Sequence, residues 1–224
     1  MNARIQVVSN IAETINGVQL SHPVRVGIDG VDCSGKTTLA DELASKLEKM
    51  GRKIIRISID KFHNCKKIRY RQGRQSPRGY YEDSFDNDAI ITCVLDPLGP
   101  ESNLMYRDSQ FDFRTDTPVN SPLQKAAANS ILIFDGVFLL KPELVSYWDF
   151  TIFVDVGFEE TIKRARNRDQ YLFGSADEVE AIYRTRYIPG QKIYLDSVQP
   201  RQKADIVINN TDFERPLTKL KNDF

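Results

Sequence analysis

The residues most able to do chemistry in this chain lie in one short stretch, Gly30-Val31-Asp32-Cys33-Ser34-Gly35-Lys36-Thr37-Thr38. The stretch satisfies G-x-x-x-x-G-K-[ST] at every defined position. Gly30 and Gly35 supply backbone angles that other residues resist, so the loop amides can turn inward and hold phosphate oxygens. The positive end of a following helix adds to that field. Lys36 offers a point charge to β and γ phosphates, and the Thr37 hydroxyl suits a Mg²⁺ ion. Asp32, Cys33, Ser34 and Thr38 complete the expected nucleotide-binding set. Cys33 reads as a small filler, not a catalytic thiol.

Two carboxylates close apolar runs farther along: Asp60 after Ile57-Ser58-Ile59, and Asp135 after Ile131-Leu132-Ile133-Phe134. Phosphoryl transfer to an alcohol needs a group that accepts the hydroxyl proton and groups that organise Mg²⁺. Asp60 and Asp135 meet that need together, and Thr37, Asp60 and Asp135 form the expected metal set. The run before Asp135 resembles a Walker B strand. Asp29 also ends a strand, but it directly precedes Gly30, and a structural role is at least as good a reading.

Positive charge gathers twice. Residues 61–79 hold Lys61, Lys66, Lys67, Arg69, Arg71, Arg74 and Arg78 with no acid among them. This reads as a solvated loop or as an anion-attracting lid over the acceptor, including a phosphorylated one. Lys163, Arg164, Arg166 and Arg168 form the second group. Arginines aimed at a transferred phosphate stabilise transition-state charge. Salt bridging with Glu160 and Asp169 competes with that role for Arg164 and Arg166; Arg168 is read as catalytic beside Lys36. Gly174 offers a hinge nearby. Tyr80, Tyr81, Phe85, Tyr106, Phe111 and Phe113 could stack on a base or sugar, although core packing is the commoner fate of such rings.

The elements that must carry these residues alternate. Helices are expected over 2–16, 36–50, 84–95, 158–169 and 176–188. Strands are expected over 24–29, 53–59, 131–135, 150–156 and 204–209, with a hairpin over 104–113. Strands separated by helices give an α/β fold of three layers, with a mainly parallel sheet and a short helical lid. In such sheets ligands bind beyond the carboxyl ends of the strands, where Gly30, Asp60 and Asp135 fall. A single domain over 1–224 is expected, with an acceptor-site insertion about 61–116 and a lid about 163–176.

The composition narrows the function classes. The 224 residues contain 31 Lys plus Arg and 31 Asp plus Glu. That balance argues against a coat for nucleic acid or anionic membrane. No apolar run reaches the length of a membrane span, and no signal peptide is evident. Cys33, Cys65 and Cys93 are odd in number and widely spaced, which argues against disulfides or zinc and for a reducing cytoplasm.

Four blocks together resemble the uridine kinase and phosphoribulokinase family of P-loop kinases. They are Gly27 through Thr38, Asp60-Lys61-Phe62-His63, Asp135-Gly136-Val137-Phe138, and Arg164–Asp169 followed by Ala204-Asp205-Ile206-Val207. The resemblance implies ATP and Mg²⁺ and transfer of the γ-phosphoryl group to a small-molecule hydroxyl. It implies Asp60 as base, Lys36 and Thr37 on phosphate and metal, and the Arg164–Arg168 helix as lid, with Arg164 toward the nucleotide. His63, Tyr81, Phe111, Asp116, Asp135 and Arg166 are the expected acceptor residues. Asp116 stands where uridine kinases carry a histidine that helps read the pyrimidine; an acid there suits a base edge with amino donors, or a sugar or amine. A nucleoside such as uridine or cytidine is the first candidate acceptor. The alternatives are a nucleoside monophosphate kinase, a sugar or vitamin kinase, and a nucleotide-binding switch. The expected partner is the small molecule, with no nucleic acid and no membrane, and a homo-oligomer stays open.

Overall fold

The computed structural model describes residues 3–220. A six-stranded sheet forms its centre, in the order Leu217–Leu220, Ile206–Asn209, Phe150–Asp155, Val24–Gly30, Ile131–Asp135, Ile54–Ser58. All pairs are parallel except the first, which is antiparallel. Val24–Gly30 and Ile131–Asp135 are buried at every residue, as central strands covered on both faces must be. The expected α/β architecture is what the chain adopts.

Strand side chains alternate between two cores. Val24, Val26, Ile28, Ile133 and Ile152 point to the face covered by helices Ala3–Gly17 and Lys36–Lys49. These helices bring Val8, Ile11 and Ile15, and Leu39, Leu43 and Leu47, at the three- and four-residue spacing of one helix face. Leu132, Phe134 and Phe153 point to the opposite core, with Phe62, Ile90, Phe138, Trp148 and Tyr194. Most strands and helices lie within a residue or two of their expected bounds.

Four segments differ. The stretch 104–113 is not a hairpin with itself. Met105–Tyr106 pairs with Gln124–Lys125, and Phe111–Asp112 pairs with Thr117–Pro118. Arg107 and Gln110 donate their amides to Cys93 and Lys61, which pulls the two short strands apart. The helix expected from Ser84 begins at Asn87, where Asp86 caps the Ala89 amide at 2.9 Å. The helix expected to stop at Ile188 runs on. Ala176–Ile182 passes through a wide turn at Tyr183–Tyr187 into a further helix, Ile188–Val198. Pro189 sits in the first turn of that helix, where its missing N–H costs nothing. The edge strand Leu217–Leu220 is exposed at every residue and carries no burial pattern to announce it.

Candidate active site

Three strands end side by side, and each delivers one part of the site. Val24–Gly30 opens into the glycine-bounded loop. Gly30 has φ 153°, and a Cβ there would lie 2.4 Å from the Val154 carbonyl oxygen; Gly35 has φ 95°, with Asn210 Nδ2 at 2.6 Å from a Cβ position. Only glycine meets both demands. Asn210 Nδ2 in turn donates to the Ser34 carbonyl at 2.7 Å, tying the loop to the strand end beyond Asn209.

Lys36 is buried, and its Nζ donates to the Val31 carbonyl at 2.7 Å, back across its own loop. Ser34 Oγ is buried without a hydrogen-bond partner among the described residues. Thr37 Oγ1 donates to Asp135 Oδ2 at 2.7 Å, while Arg56 Nη1 donates to Asp135 Oδ1 at 2.7 Å. Asp135 is therefore fixed from both sides at 2% exposure. Among the described residues no cluster of three His, Cys, Asp or Glu side chains could cage a metal alone. The oxygens of Thr37, Asp135 and nearby Asp60 instead suit Mg²⁺, which keeps waters and takes one or two carboxylates plus phosphate oxygens.

Asp60 lies in a single turn, Ile59–Phe62, directly after the Ile54–Ser58 strand. Its carboxyl faces the cleft. Asp60 is exposed over its surface as a whole, but the cleft around its carboxyl and the neighbouring Asp135 carboxylate both raise its proton affinity. A carboxylate so placed is a better proton acceptor than an ordinary one. His63 follows, with its ring 4.5 Å from Phe85 and 4.8 Å from Phe113 between centres. Burial pushes its pKa down to about 4, against the hydrogen bond to the Asp60 carbonyl that favours the charged ring.

Two carboxylates brace the loop from below and behind. Asp29 is fully buried and accepts from the Gly30 amide at 2.7 Å and from the Tyr194 hydroxyl. Burial raises its pKa to about 6. Asp32 accepts from Tyr80 Oη at 2.8 Å and Gln191 Nε2 at 2.9 Å, and its amide donates to Gln191 Oε1 at 2.8 Å. Burial raises its proton affinity also. The helix Ile188–Val198 thereby holds the loop at two carboxylates.

The helix Phe158–Arg168 covers the other side. Arg164 Nη2 donates to the carbonyls of Asn210 and Thr211 at 2.8 and 2.9 Å, and its Nη1 reaches those of Cys33 and Ser34 at 3.4 Å. Arg168 forks onto Asp169 at 2.6 and 3.1 Å, and Tyr183 Oη donates to the same carboxylate at 2.8 Å. Arg168 is thus held at the mouth of the cleft.

Asp32, Cys33, Lys36, Thr37, Asp60, His63, Asp135 and Arg168 line one cleft, with Tyr80, Phe113, Tyr183 and Tyr187 among its walls. A second cavity adjoins it across Lys36, Thr37 and Arg168 and is lined by Gly35, Thr38, Arg164 and Phe213. Other expected residues stand elsewhere. Tyr81 packs on Phe138 and Tyr194, with Lys141 Nζ 4.2 Å from its ring centre. Phe111 is an exception: it borders one cavity with Phe62 and Pro118 and another with Asp60, Phe113 and Arg168. Arg166 pairs with Asp177 and Glu180. Asp116 has φ 58° at the turn between the Phe111–Asp112 and Thr117–Pro118 strands, and it accepts from the Lys66 amide and from Arg69 Nη2, both at 2.9 Å. Gln191, Tyr183 and Phe213 were not among the expected site residues. Tyr183, Tyr187 and Gln191 recur every four residues, a helical signal that Pro189-Gly190 obscures.

Known proteins resemble this chain in sequence and in fold. The chain is 24% identical over 203 residues to an Arabidopsis thaliana uridine/cytidine kinase, covering 86% of this chain and 41% of that protein's length. It is 25% identical to a uridine kinase of Limosilactobacillus reuteri, over 85% of this chain and 84% of the relative, and 26% identical to one of Clostridium botulinum, over 84% and 89%. The fold superposes with TM-score 0.70 on a Bacillus stearothermophilus protein described as a possible uridine kinase, at 22% identity over 91% of this chain and 96% of the other. A Cryptococcus neoformans D-glycerate 3-kinase superposes with TM-score 0.59 at 13% identity, over 93% and 95%. The phosphoribulokinase / uridine kinase family matches residues 25–214, and with the phosphate loop and strand-end carboxylates in place this chain belongs to that family of kinases.

Proposed function

We propose that the chain moves the γ-phosphoryl group of ATP to a hydroxyl of a small molecule seated over Asp60, with pyrimidine nucleosides the first acceptors to test. The observation that carries this reading is the shared cleft: Asp60, Lys36 and the Thr37–Asp135 pair open onto one space, with a second cavity on the far side of Lys36. The loop amides would hold the triphosphate, and Lys36, which here donates to the Val31 carbonyl, would turn to the β and γ phosphates. Thr37 and Asp135 would hold Mg²⁺, which would supply charge neutralisation on the phosphate oxygens. Asp60 takes the acceptor's hydroxyl proton as the oxygen attacks. Arg168, fixed by Asp169, meets charge spreading over the transferred group. Phe213 offers its ring to the nucleotide base in the second cavity.

Known relatives support the nucleoside as first acceptor, since several are uridine or uridine/cytidine kinases. The test is ADP release across a panel of nucleosides, nucleoside monophosphates, sugars and hydroxy acids, with Asp60→Asn as control. Acceptor-dependent turnover that falls by about a hundredfold or more in Asp60→Asn is expected, the range general base catalysis supplies. Turnover that needs no acceptor would instead favour a nucleotide switch, and undiminished turnover in Asp60→Asn would remove Asp60 as base.

A further inference from the structure

Arg56 stands where an apolar side chain would be expected. It lies on the edge strand Ile54–Ser58 and shares the face of Ile54, two residues before, which packs into the core beneath the helices. Its guanidinium uses that inward position for three bonds. Nη1 donates to Asp135 Oδ1 at 2.7 Å and to the Ile57 carbonyl at 2.8 Å, and Nε donates to Asp41 Oδ1 at 2.9 Å. Asp41 belongs to the helix Lys36–Lys49, four residues after Thr37, so the two share a helix face. Thr37 completes the circuit by donating to Asp135 Oδ2 at 2.7 Å. The loop helix, the end of the Ile131–Asp135 strand and the edge strand are thus joined in a closed ring: Thr37, Asp135, Arg56, Asp41.

The charges near this ring differ in their commitments. Among the described residues Arg56 is the one cation that pairs with Asp135. Asp41 also meets Arg56, but its side chain is 64% exposed, so water screens its share of the charge. Lys36 and Arg168 line the same cleft, yet Lys36 donates to the Val31 carbonyl and Arg168 to Asp169. Asp60 is close enough for the Asp135 carboxylate to raise its proton affinity. Two carboxylates and a threonine hydroxyl in one cleft are the oxygen ligands that hard divalent cations take. Without a cation of its own, this group would attract a free metal ion before any nucleotide arrived. Asp135, with a side chain only 3% exposed, would also become an unpaired buried charge, which is costly.

From this ring we infer that Arg56 is a positioning residue acting through Asp135. It is a resident counter-ion that occupies Oδ1, leaves Oδ2 to Thr37, and so makes divalent-cation binding depend on the phosphates a nucleotide brings. This inference rests on the nucleotide-binding part of the phosphotransferase reading and adds to it that the site is filled by nucleotide and metal together.

Manganese binding tests it, read by the paramagnetic resonance of free Mn²⁺ titrated with the full chain at pH 7.5, first without nucleotide and then with saturating ADP. Mn²⁺ takes the same oxygen ligands as Mg²⁺. Without nucleotide, Arg56→Gln binds Mn²⁺ about tenfold tighter than the parent or more, because a unit charge a few ångströms from the ligand is gone. ADP then tightens Mn²⁺ binding by a correspondingly smaller factor in the variant than in the parent. Arg56→Lys, which keeps the charge, stays near the parent. Adding Asp135→Asn to Arg56→Gln cancels the gain. Arg78→Gln removes a positive charge that pairs with Glu82 at the surface and leaves Mn²⁺ binding unchanged. Structural damage disperses ligands and weakens binding, so a gain is a result that a merely structural role does not give. Thermal melting checks that each variant is folded, and Arg56→Met, apolar like Ile54, is read in place of the glutamine variant if that one is not. Unchanged or weaker Mn²⁺ binding in the folded variant, or a gain that survives Asp135→Asn, overturns the inference. A chain that shows the Mn²⁺ contrast yet phosphorylates no acceptor would refute the phosphotransferase reading alone.

Discussion

Asp29 places a titratable burden directly beneath the phosphate loop, and its size can be worked out. Its pKa moves from an ordinary 3.8 to about 6, because burial outweighs the hydrogen bonds from Tyr194 and Gly30 and the charge of Lys36. A shift of about two units corresponds to about 3 kcal/mol between the two protonation states. The folded protein holds the proton to higher pH than the unfolded chain does. Between about pH 4 and pH 6 the unfolded state has released a proton that the folded state retains, so this residue's contribution to stability falls as pH rises. The full burden is present above about pH 6. Asp29→Asn removes the titration and keeps an acceptor for the Gly30 amide. Urea unfolding of both proteins is measured from pH 4 to pH 7.5, where other titrating groups cancel in the difference. The stability of Asp29→Asn relative to the parent rises by about 3 kcal/mol across that range, or about 6–12 °C in Tm for a chain of this size. A difference that stays flat with pH would refute the assignment of this cost to Asp29.

Other perturbations have equally definite outcomes. Burial pushes the Cys33 thiol up to about 11, so iodoacetamide at pH 7.5 labels Cys65 and Cys93 well before Cys33, as peptide mass spectrometry reads. His63, held down to about 4, shows no ring titration by NMR between about pH 5.5 and 8; its contribution to stability is lost only as pH falls from its ordinary 6.5 toward 4. Gly190→Ala puts a Cβ 2.7 Å from the Pro77 carbonyl oxygen and 2.8 Å from Tyr80, and costs about 1–3 kcal/mol of folding stability by overpacking. Phe213→Ala removes the aromatic wall of the second cavity and raises the KM for ATP about tenfold, within the about 1–3 kcal/mol of base stacking, while the acceptor KM holds.

The parts of the site that were legible in the sequence are those where a residue type is forced by local geometry. Gly30 and Gly35 cannot be other residues at their backbone angles; the apolar run ending in Asp135 announces a buried parallel strand, and the run before Asp60 a half-buried parallel strand at the sheet edge. The parts that stayed hidden depend on long-range contact. Tyr80 and Gln191 meet on Asp32 from segments 48 and 159 residues away in sequence. Nothing local marks Arg186 as buried among tyrosines while Arg166, a similar helical arginine, pairs with acids at the surface. Asp116 illustrates a third case: its match to a family position suggests acceptor reading, whereas its left-handed backbone and Arg69 partner give it a place in a turn. Pro189-Gly190 looks like a stop and serves as a helix start, since proline interrupts only what precedes it.

The N-terminal helix has a consequence beyond its packing. Arg4 donates to Glu42 at 2.7 and 2.8 Å and to Asn210 at 3.1 Å, and its guanidinium carbon lies 3.7 Å from the ring centre of Phe213. Asn210 and Phe213 in turn shape the phosphate loop and the wall of the second cavity. Fraying of Ala3–Gly17 and occupancy of that cavity are therefore thermodynamically linked, since a ligand that favours the docked helix slows its opening by the same free energy. Amide hydrogen exchange in this helix would then report on whether the second cavity is filled.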